Sequence, residues 1–259
     1  MGDVRGLPDR FHRAIGLSVE PVIERPLLAL ELSQREGGVA LLDADGNTHV
    51  RMVAGGRRDR DDFLPAIESA CIAAGIRARD LRSVAVDLGP GGFTGLRVSI
   101  AAAQAIAETA GATVIGVPGA DVAVASTLGT AESELVGEVA VIAATRNGSG
   151  WLTHFSRNSS SEDWRIKGLP GLRDSPTHGL DGVLADDHLM DEWQLFFQAA
   201  GIPVIEPRFD PEVLARIALR ATPESSREDL IIAFDPARLR PIYPRVPEAV
   251  RLWKEHHGA

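Results

Sequence analysis

The chain has 259 residues, of which 44% are hydrophobic and 24% charged, with a formal net charge of −9. That length supports one large domain or two small ones with real cores, in an ordinary globular composition. No apolar run reaches the ~18 residues that a membrane-spanning helix needs. The acid excess excludes a broad footprint for a phosphate backbone, and a single cysteine, Cys71, excludes an intrachain disulfide and fits a reducing, cytoplasmic setting.

Residues 1–25 mix Arg5, Arg10, Arg13 and Arg25 with Asp3, Asp9, Glu20 and Glu24. They hold no apolar stretch of secretory-signal length, so they read as an N-terminal extension. Residues 27–32 (LLALEL) have the length of a buried strand. A polar turn over 34–38, a strand over 39–43, the turn Asp45-Gly46-Asn47 and a strand over 48–53 complete an antiparallel meander. Arg57, Arg58 and Arg60 form a small basic run, read as a solvated loop.

Residues 61–74 place Phe63, Leu64, Ile67, Cys71 and Ala74 on one helical face, with Gly75 as the stop. Pro65 removes a backbone donor, so this helix is either kinked there or begins near it. A strand over 83–88 leads into Gly89–Gly95, a helix from about 96 to 110, a strand over 113–117 and a helix over 121–128. Antiparallel strands followed by crossover helices predict a mixed sheet with helices packed on it.

A second block opens with a strand over 139–144, a turn at 147–150 and a strand over 151–155. This hairpin repeats the layout of residues 27–43. Residues 157–177 read as loop with at most short strands. A strand over 182–185, a helix over 190–200 and a strand over 203–206 follow. Asp210 then caps a helix reaching about residue 221. Residues 222–236 read as a linker, and the tail carries Pro241, Ile242 and Tyr243 before a short helix near 247–256. The expected divisions are 1–25 (extension), 26–128 (first lobe), 129–236 (second lobe) and 237–259 (a tail packing back on the body).

The most informative stretch is Gly89-Pro90-Gly91-Gly92-Phe93-Thr94-Gly95-Leu96-Arg97. Clustered glycines let a backbone approach something closely, and the loop runs into a helix N-terminus, where free amides favour an anion. No Lys-Ser/Thr follows the last glycine, so it is not a Walker A loop, and the spacing fails the dinucleotide fingerprint. An anion site and a close-packed strand-to-helix turn both fit. The helix behind it is thin: Ala101, Ala102, Ala103, Ala105, Ala107 and Ala110 line it, while Arg97, Gln104 and Glu108 share one narrow polar stripe. A helix apolar nearly all round is buried on more than one side. One side covers its own sheet; the other meets the 61–74 helix or another chain.

This nonapeptide closely resembles the GPGSFTGxR signature of the TsaB (YeaZ) family, and Ala103-Gln104 and Phe63-Leu64-Pro65-Ala66-Ile67 continue the similarity. Pro241-Ile242-Tyr243-Pro244-Arg245, with Trp253 downstream, is similar to the family's PxYxR…W ending. The resemblance implies an α/β, actin/Hsp70-like (ASKHA, ribonuclease H-like) fold of two lobes with mixed sheets. It implies a non-catalytic subunit that heterodimerises with a TsaD-type catalytic subunit, joined by a TsaE-type ATPase, to install threonylcarbamoyl on N6 of adenosine 37 in tRNAs reading ANN codons. First-lobe helices form that contact, so the expected interface is Phe63, Leu64, Ile67, Cys71, Leu96, Ile100, Ala103 and Ala107. The tRNA is met only indirectly, and the isolated chain is a possible homodimer. Glu31, Ser33, Gly89, Pro90, Gly91, Gly92, Phe93, Thr94, Gly95 and Arg97 are the expected signature-loop set, with a possible anion or nucleotide contact.

Two departures from the resemblance speak against catalysis. Residues 57–74 hold no histidine, where the catalytic relative binds metal, and His12, His49, His154, His178, His188, His256 and His257 form no helical metal pair, so each reads as a surface residue. Actin-like ATPases carry an acid at the end of the first strand and another in the second lobe. Here those positions are Glu31, where the family usually shows Asp, and the stretch Ala143-Ala144-Thr145-Arg146, with alanine where the family often has Asp. No catalytic residue, metal or cofactor is therefore expected in this chain, and ATP, ADP and magnesium enter only at the level of the complex. The alternatives are a nucleotide-binding homodimeric regulator and a degenerate ATPase or glycopeptidase-like enzyme of the same fold.

Overall fold

The computed structural model describes residues 23–54, 62–129, 135–144, 148–160, 163–221 and 236–244, together with Trp253 and His256. Most of the expected extension, the basic run at 57–60, Thr145 and Arg146, most of the 222–236 linker, most of the tail helix, and His12 and His257 lie outside the described residues.

The first sheet has the order β3-β2-β1-β4-β5. Its strands are β1 (Leu27–Glu31), β2 (Glu36–Leu42), β3 (Thr48–Ala54), β4 (Ser83–Asp87) and β5 (Thr113–Val117). β1, β2 and β3 run antiparallel as the tight turns require, and β1, β4 and β5 run parallel. All five residues of β1 are buried, which requires helices on both faces. Leu28 and Leu30 point to one face, where α1 (Phe63–Ala73) and α2 (Phe93–Ala110) cover them with Phe63, Ile67, Ile100 and Ala103. Leu27 and Ala29 point to the other, where Leu214, Ala215 and Ala218 meet them.

Pro65 sits in the first turn of α1, where its missing donor would have been unpaired in any case; the helix begins near it. α1 closes as expected, with Gly75 at φ +68° and its N–H donating to the carbonyl of Ile72. α2 starts three residues earlier than its periodicity suggests, at Phe93, and ends on Gly111 at φ +66°.

The second sheet reproduces the first. Its path is β11-β10-β6-β7-β8, with β9 also on β7. The strands are β6 (Gly137–Ala144), β7 (Gly150–Arg157), β8 (Arg165–Ile166), β9 (Gly171–Arg173), β10 (Gly182–Ala185) and β11 (Val204–Ile205). β6, β7 and the short strands are antiparallel, and β6, β10 and β11 parallel. The hairpin suspected as a repeat is thus the visible part of a duplicated sheet.

Two helices cross between the lobes, and here the expected divisions at 128/129 and 236/237 need correction. α3 (Gly119–Leu128) follows the first sheet, yet Ala123, Val124 and Leu128 pack on Val139, Val141 and Phe155 of the second. α5 (Pro211–Arg220) follows the second sheet, yet it closes the back of the first. The reason is burial on all sides: eight of the ten residues of α3 are buried, so it must be covered from more than one direction. The two helices are tied by Ser126 Oγ and Thr127 Oγ1, which accept from the amides of Asp210 and Arg208. Asp210 caps α5 as its sequence predicts, accepting from the Glu212 amide at 2.8 Å. α4 (Asp191–Ala199) covers the remaining face of the second sheet with Trp193 and Phe197.

The tail returns to the first lobe. Leu239 is buried in the core under α2, the Ile242 amide donates to the Leu88 carbonyl at 2.7 Å, and Gln104 Nε2 donates to the Pro236 carbonyl at 2.8 Å.

Candidate functional site

The glycine turn joins β4 to α2 and rests on the turn after β1. The Gly92 amide donates to the Ser33 carbonyl at 2.6 Å. A Cβ on Gly91 would lie 2.3 Å from that carbonyl oxygen, and one on Gly95 would lie 2.0 Å from the Leu32 oxygen. Gly89 holds φ +83°, a conformation side chains resist. Two backbones are therefore in contact, as the close-packed reading of the glycines requires. Pro90, Gly91, Gly92 and Phe93 also form one wall of a cavity of about 660 Å³ between the lobes. Its other walls include Ser33, Val141, Ala143, Ala144, Trp151 and Tyr243. Phe93 is half exposed, with its ring edge-on to Tyr243 at 4.9 Å and Arg97 stacked on it at 4.7 Å. Arg35, at the rim, bonds Asp187 at 3.0 Å and His188 at 3.2 Å, linking the lobes.

Beneath the turn lie acids. Glu31 and Asp87 are both inaccessible to solvent. Glu31 Oε1 accepts from the Ser33 amide at 2.8 Å and from its hydroxyl at 2.5 Å, and Asp87 Oδ1 accepts from the Gly89 amide at 2.6 Å. Asp121, in the first turn of α3, is half-buried as a residue, but its Oδ2 has no access to water. Burial, reinforced by the charge of Asp87, pushes its carboxyl up to about 7. Neither Asp87 nor Asp121 stands out in the sequence, because an acid at the end of a strand before a turn or in the first turn of a helix reads as a local hydrogen-bonding residue.

The helix residues expected at a partner interface are placed differently. Phe63, Ile67, Cys71, Leu96, Ile100, Ala103 and Ala107 are buried in the first lobe itself, and only Leu64 faces out. Spacing identifies an apolar stripe without saying whether the sheet or the outside receives it. Burial, aided by the charge of Asp80, raises the Cys71 thiol, as suits a core cysteine. The open flank carries Leu64 (59% exposed) and Ile72 (71%) on α1, and Val98, Ala101 and Ala105 on α2. Leu64 and Ile72 are eight residues apart, and Val98, Ala101 and Ala105 lie at three and four, so the same periodicity carried this second stripe. Among the described residues, the thin helix is neither wholly internal nor covered by the second lobe.

The histidines also divide. His178, His188 and His256 are exposed, whereas His49 is half-buried against Asp43 and His154 is half-buried in β7, where burial lowers its basicity. Among the described residues, one group could gather around a metal: Asp186, Asp187 and His188, largely exposed and engaged by Arg35.

Residues 55–149, from before α1 to beyond β6, match the family model described as TsaD, tRNA N6-adenosine threonylcarbamoyltransferase. Two solved structures align over nearly their whole lengths. YeaZ from Pseudomonas aeruginosa superposes with a TM-score of 0.60 at 18% identity, covering 84% of this chain and 98% of that one. The chain has the actin-like fold of YeaZ. A structure described as an uncharacterized protein similar to peptidase YEAZ, from Pseudomonas aeruginosa, gives the same TM-score and identity, covering 85% and 99%. No curated protein sequence matches the chain. Among the described residues, no helix is long and apolar enough to cross a membrane.

Proposed function

We propose that this chain is a non-catalytic subunit of the machinery that makes N6-threonylcarbamoyladenosine in tRNA, and that it docks a TsaD-type catalytic subunit on the outer face of α1 and α2. The observation that carries the reading is that face itself. Leu64, Ile72, Val98, Ala101 and Ala105 leave an apolar flank uncovered beside the signature turn, and the small alanines permit close approach of a second helix pair. The TsaD family match and the likeness to YeaZ support the pathway.

The acid positions support the absence of catalysis by this chain. Glu31 is turned into the core against Asp87, the end of β6 offers the cleft Ala143 and Ala144 instead of an acid, and the one carboxylate among the described lining residues, Asp186, accepts from the His188 amide at 3.1 Å. A magnesium-bound phosphate needs carboxylates that reach it. ATP, ADP and magnesium then belong to the assembled complex, which a TsaE-type ATPase joins. With a net charge of −9, the chain meets tRNA through its partners. The complex works in the cytoplasm, where its tRNA substrates are.

The test is co-purification with a TsaD-type protein from the same host, followed by analysis of adenosine 37. Ile72→Asp combined with Val98→Asp should abolish capture and modification while leaving the melting temperature nearly unchanged, because both side chains are exposed. Undiminished capture by the folded double variant would refute the interface.

The cavity favours a second reading, a nucleotide-binding homodimer using the same flank. Its walls combine Phe93, Trp151 and Tyr243 with the N-terminus of α2. A thermal shift with millimolar ADP or ATP, together with a dimer lost in Ile72→Asp, would select it.

A further inference from the structure

β1 and β4 pair in parallel with Leu27 opposite Ser83 and Leu30 opposite Val86. One more step in that register sets Glu31 beside Asp87 at the ends of adjacent strands. Both side chains are wholly buried. The donors in reach serve only half of the acceptors: Ser33 satisfies Oε1 of Glu31, and the Gly89 amide satisfies Oδ1 of Asp87. Oε2 of Glu31 and Oδ2 of Asp87 have neither solvent nor a donor. No cationic group among the described residues acts on either acid.

Two ionised carboxylates cannot persist in that setting, since each would be desolvated and would repel the other. We propose that Glu31 and Asp87 hold one proton between them, forming a buried carboxyl–carboxylate bond that ties the turn after β1 to the glycine turn after β4. The proton is taken from solvent on folding and returned on unfolding. It supplies the donor that the two orphaned oxygens lack. Burial raises both carboxyls, and for Glu31 the Asp87 charge adds to the effect.

Asp121 is the third acid facing this spot, from the start of α3, and the charge of Asp87 raises its carboxyl. The three acids do not converge closely enough to grip a cation together: among the described residues the only such group is Asp186, Asp187 and His188. The consequence is mechanical. Ser33 and Gly89 are each bonded to one acid of the pair, and the glycine turn leans on the Ser33 carbonyl. One proton therefore fixes the base from which α2 departs.

The experiment uses the full chain carrying Asp121→Asn, so that the third acid does not titrate. In that protein, calorimetric unfolding near pH 7 in two buffers of different ionisation heat should show release of one proton from the pair. Between pH 5.5 and 7.5 the pair should raise the unfolding constant about tenfold per pH unit, since the folded state keeps a proton that the unfolded chain has lost; the slope is read as the difference from the variants below, so that His154, whose burial acts in the opposite sense, cancels. Adding Glu31→Gln, which keeps the shape and donates the missing hydrogen bond without titrating, should abolish both signals. Asp87→Asn supplies an independent variant with the same expectation. Absence of proton release in the Asp121→Asn protein, or a slope that survives both added substitutions, would overturn the proposal. So would stabilisation by magnesium or calcium that disappears with Glu31→Gln, because a cation would then occupy the space.

Discussion

Replacing Gly95 by alanine sets two effects against each other. Gly95 lies in the first turn of α2, and alanine is favoured over glycine in a helix by up to about 1 kcal/mol. The added Cβ, however, would stand 2.0 Å from the Leu32 oxygen and 3.1 Å from the Leu32 carbonyl carbon, where 3.0 Å is the closest approach real Cβ atoms show. Helix and turn must separate by about 1 Å, and the obstacle is backbone, so no rotamer relieves it. Overpacking of this kind costs about 1–3 kcal/mol. The retreat also stretches the 2.6 Å bond from Gly92 to Ser33, a further ~1 kcal/mol, and opens the contacts of Leu96. The net expectation is a loss of about 1–3 kcal/mol despite the better helix former. Urea unfolding followed by circular dichroism should show a lowered midpoint with an unchanged slope. A Gly95→Ala protein as stable as the parent, or more stable, would refute the claim that these backbones are in contact.

Further outcomes follow from the same packing. Asp121→Asn should be worth more at high pH. The folded acid, raised from 3.8 to about 7, favours folding below its ordinary range, and that contribution is lost as pH climbs through about 7. At ~1.4 kcal/mol per pH unit, the stability gap between variant and parent should widen by about 2 kcal/mol from pH 5.5 to pH 8.5; a constant gap would show Asp121 to be ionised throughout. Leu239→Ala removes a buried side chain from the core under α2 and should destabilise by about 2–4 kcal/mol in thermal or urea melts, although it lies in the tail.

The architecture was legible where local chemistry decides it. Asp45-Gly46-Asn47 and the crossover helices predicted the antiparallel and parallel halves of the first sheet, and Asp210 capped the helix it was expected to cap. What escaped depends on which surface faces which. Ala103 and Ala107 share a helix with Ala101 and Ala105, and composition cannot distinguish an alanine against the sheet from one in solvent. Asp87 became notable only once β4 lay parallel to β1 and in register with it, because a contact across 56 residues leaves no local trace. The same holds for α3 and α5: each reads as a helix, and nothing in either segment says that it belongs to the other sheet.

That exchange of helices has a consequence for the two halves as units. Each sheet is buttressed by a rod delivered from the opposite side of the chain, so severing the polypeptide after residue 128 would strip the front sheet of its rear wall and leave α3 an orphan on the wrong fragment. The halves are expected to melt as one object and to refuse separate expression, yet to recombine when both pieces share a cell.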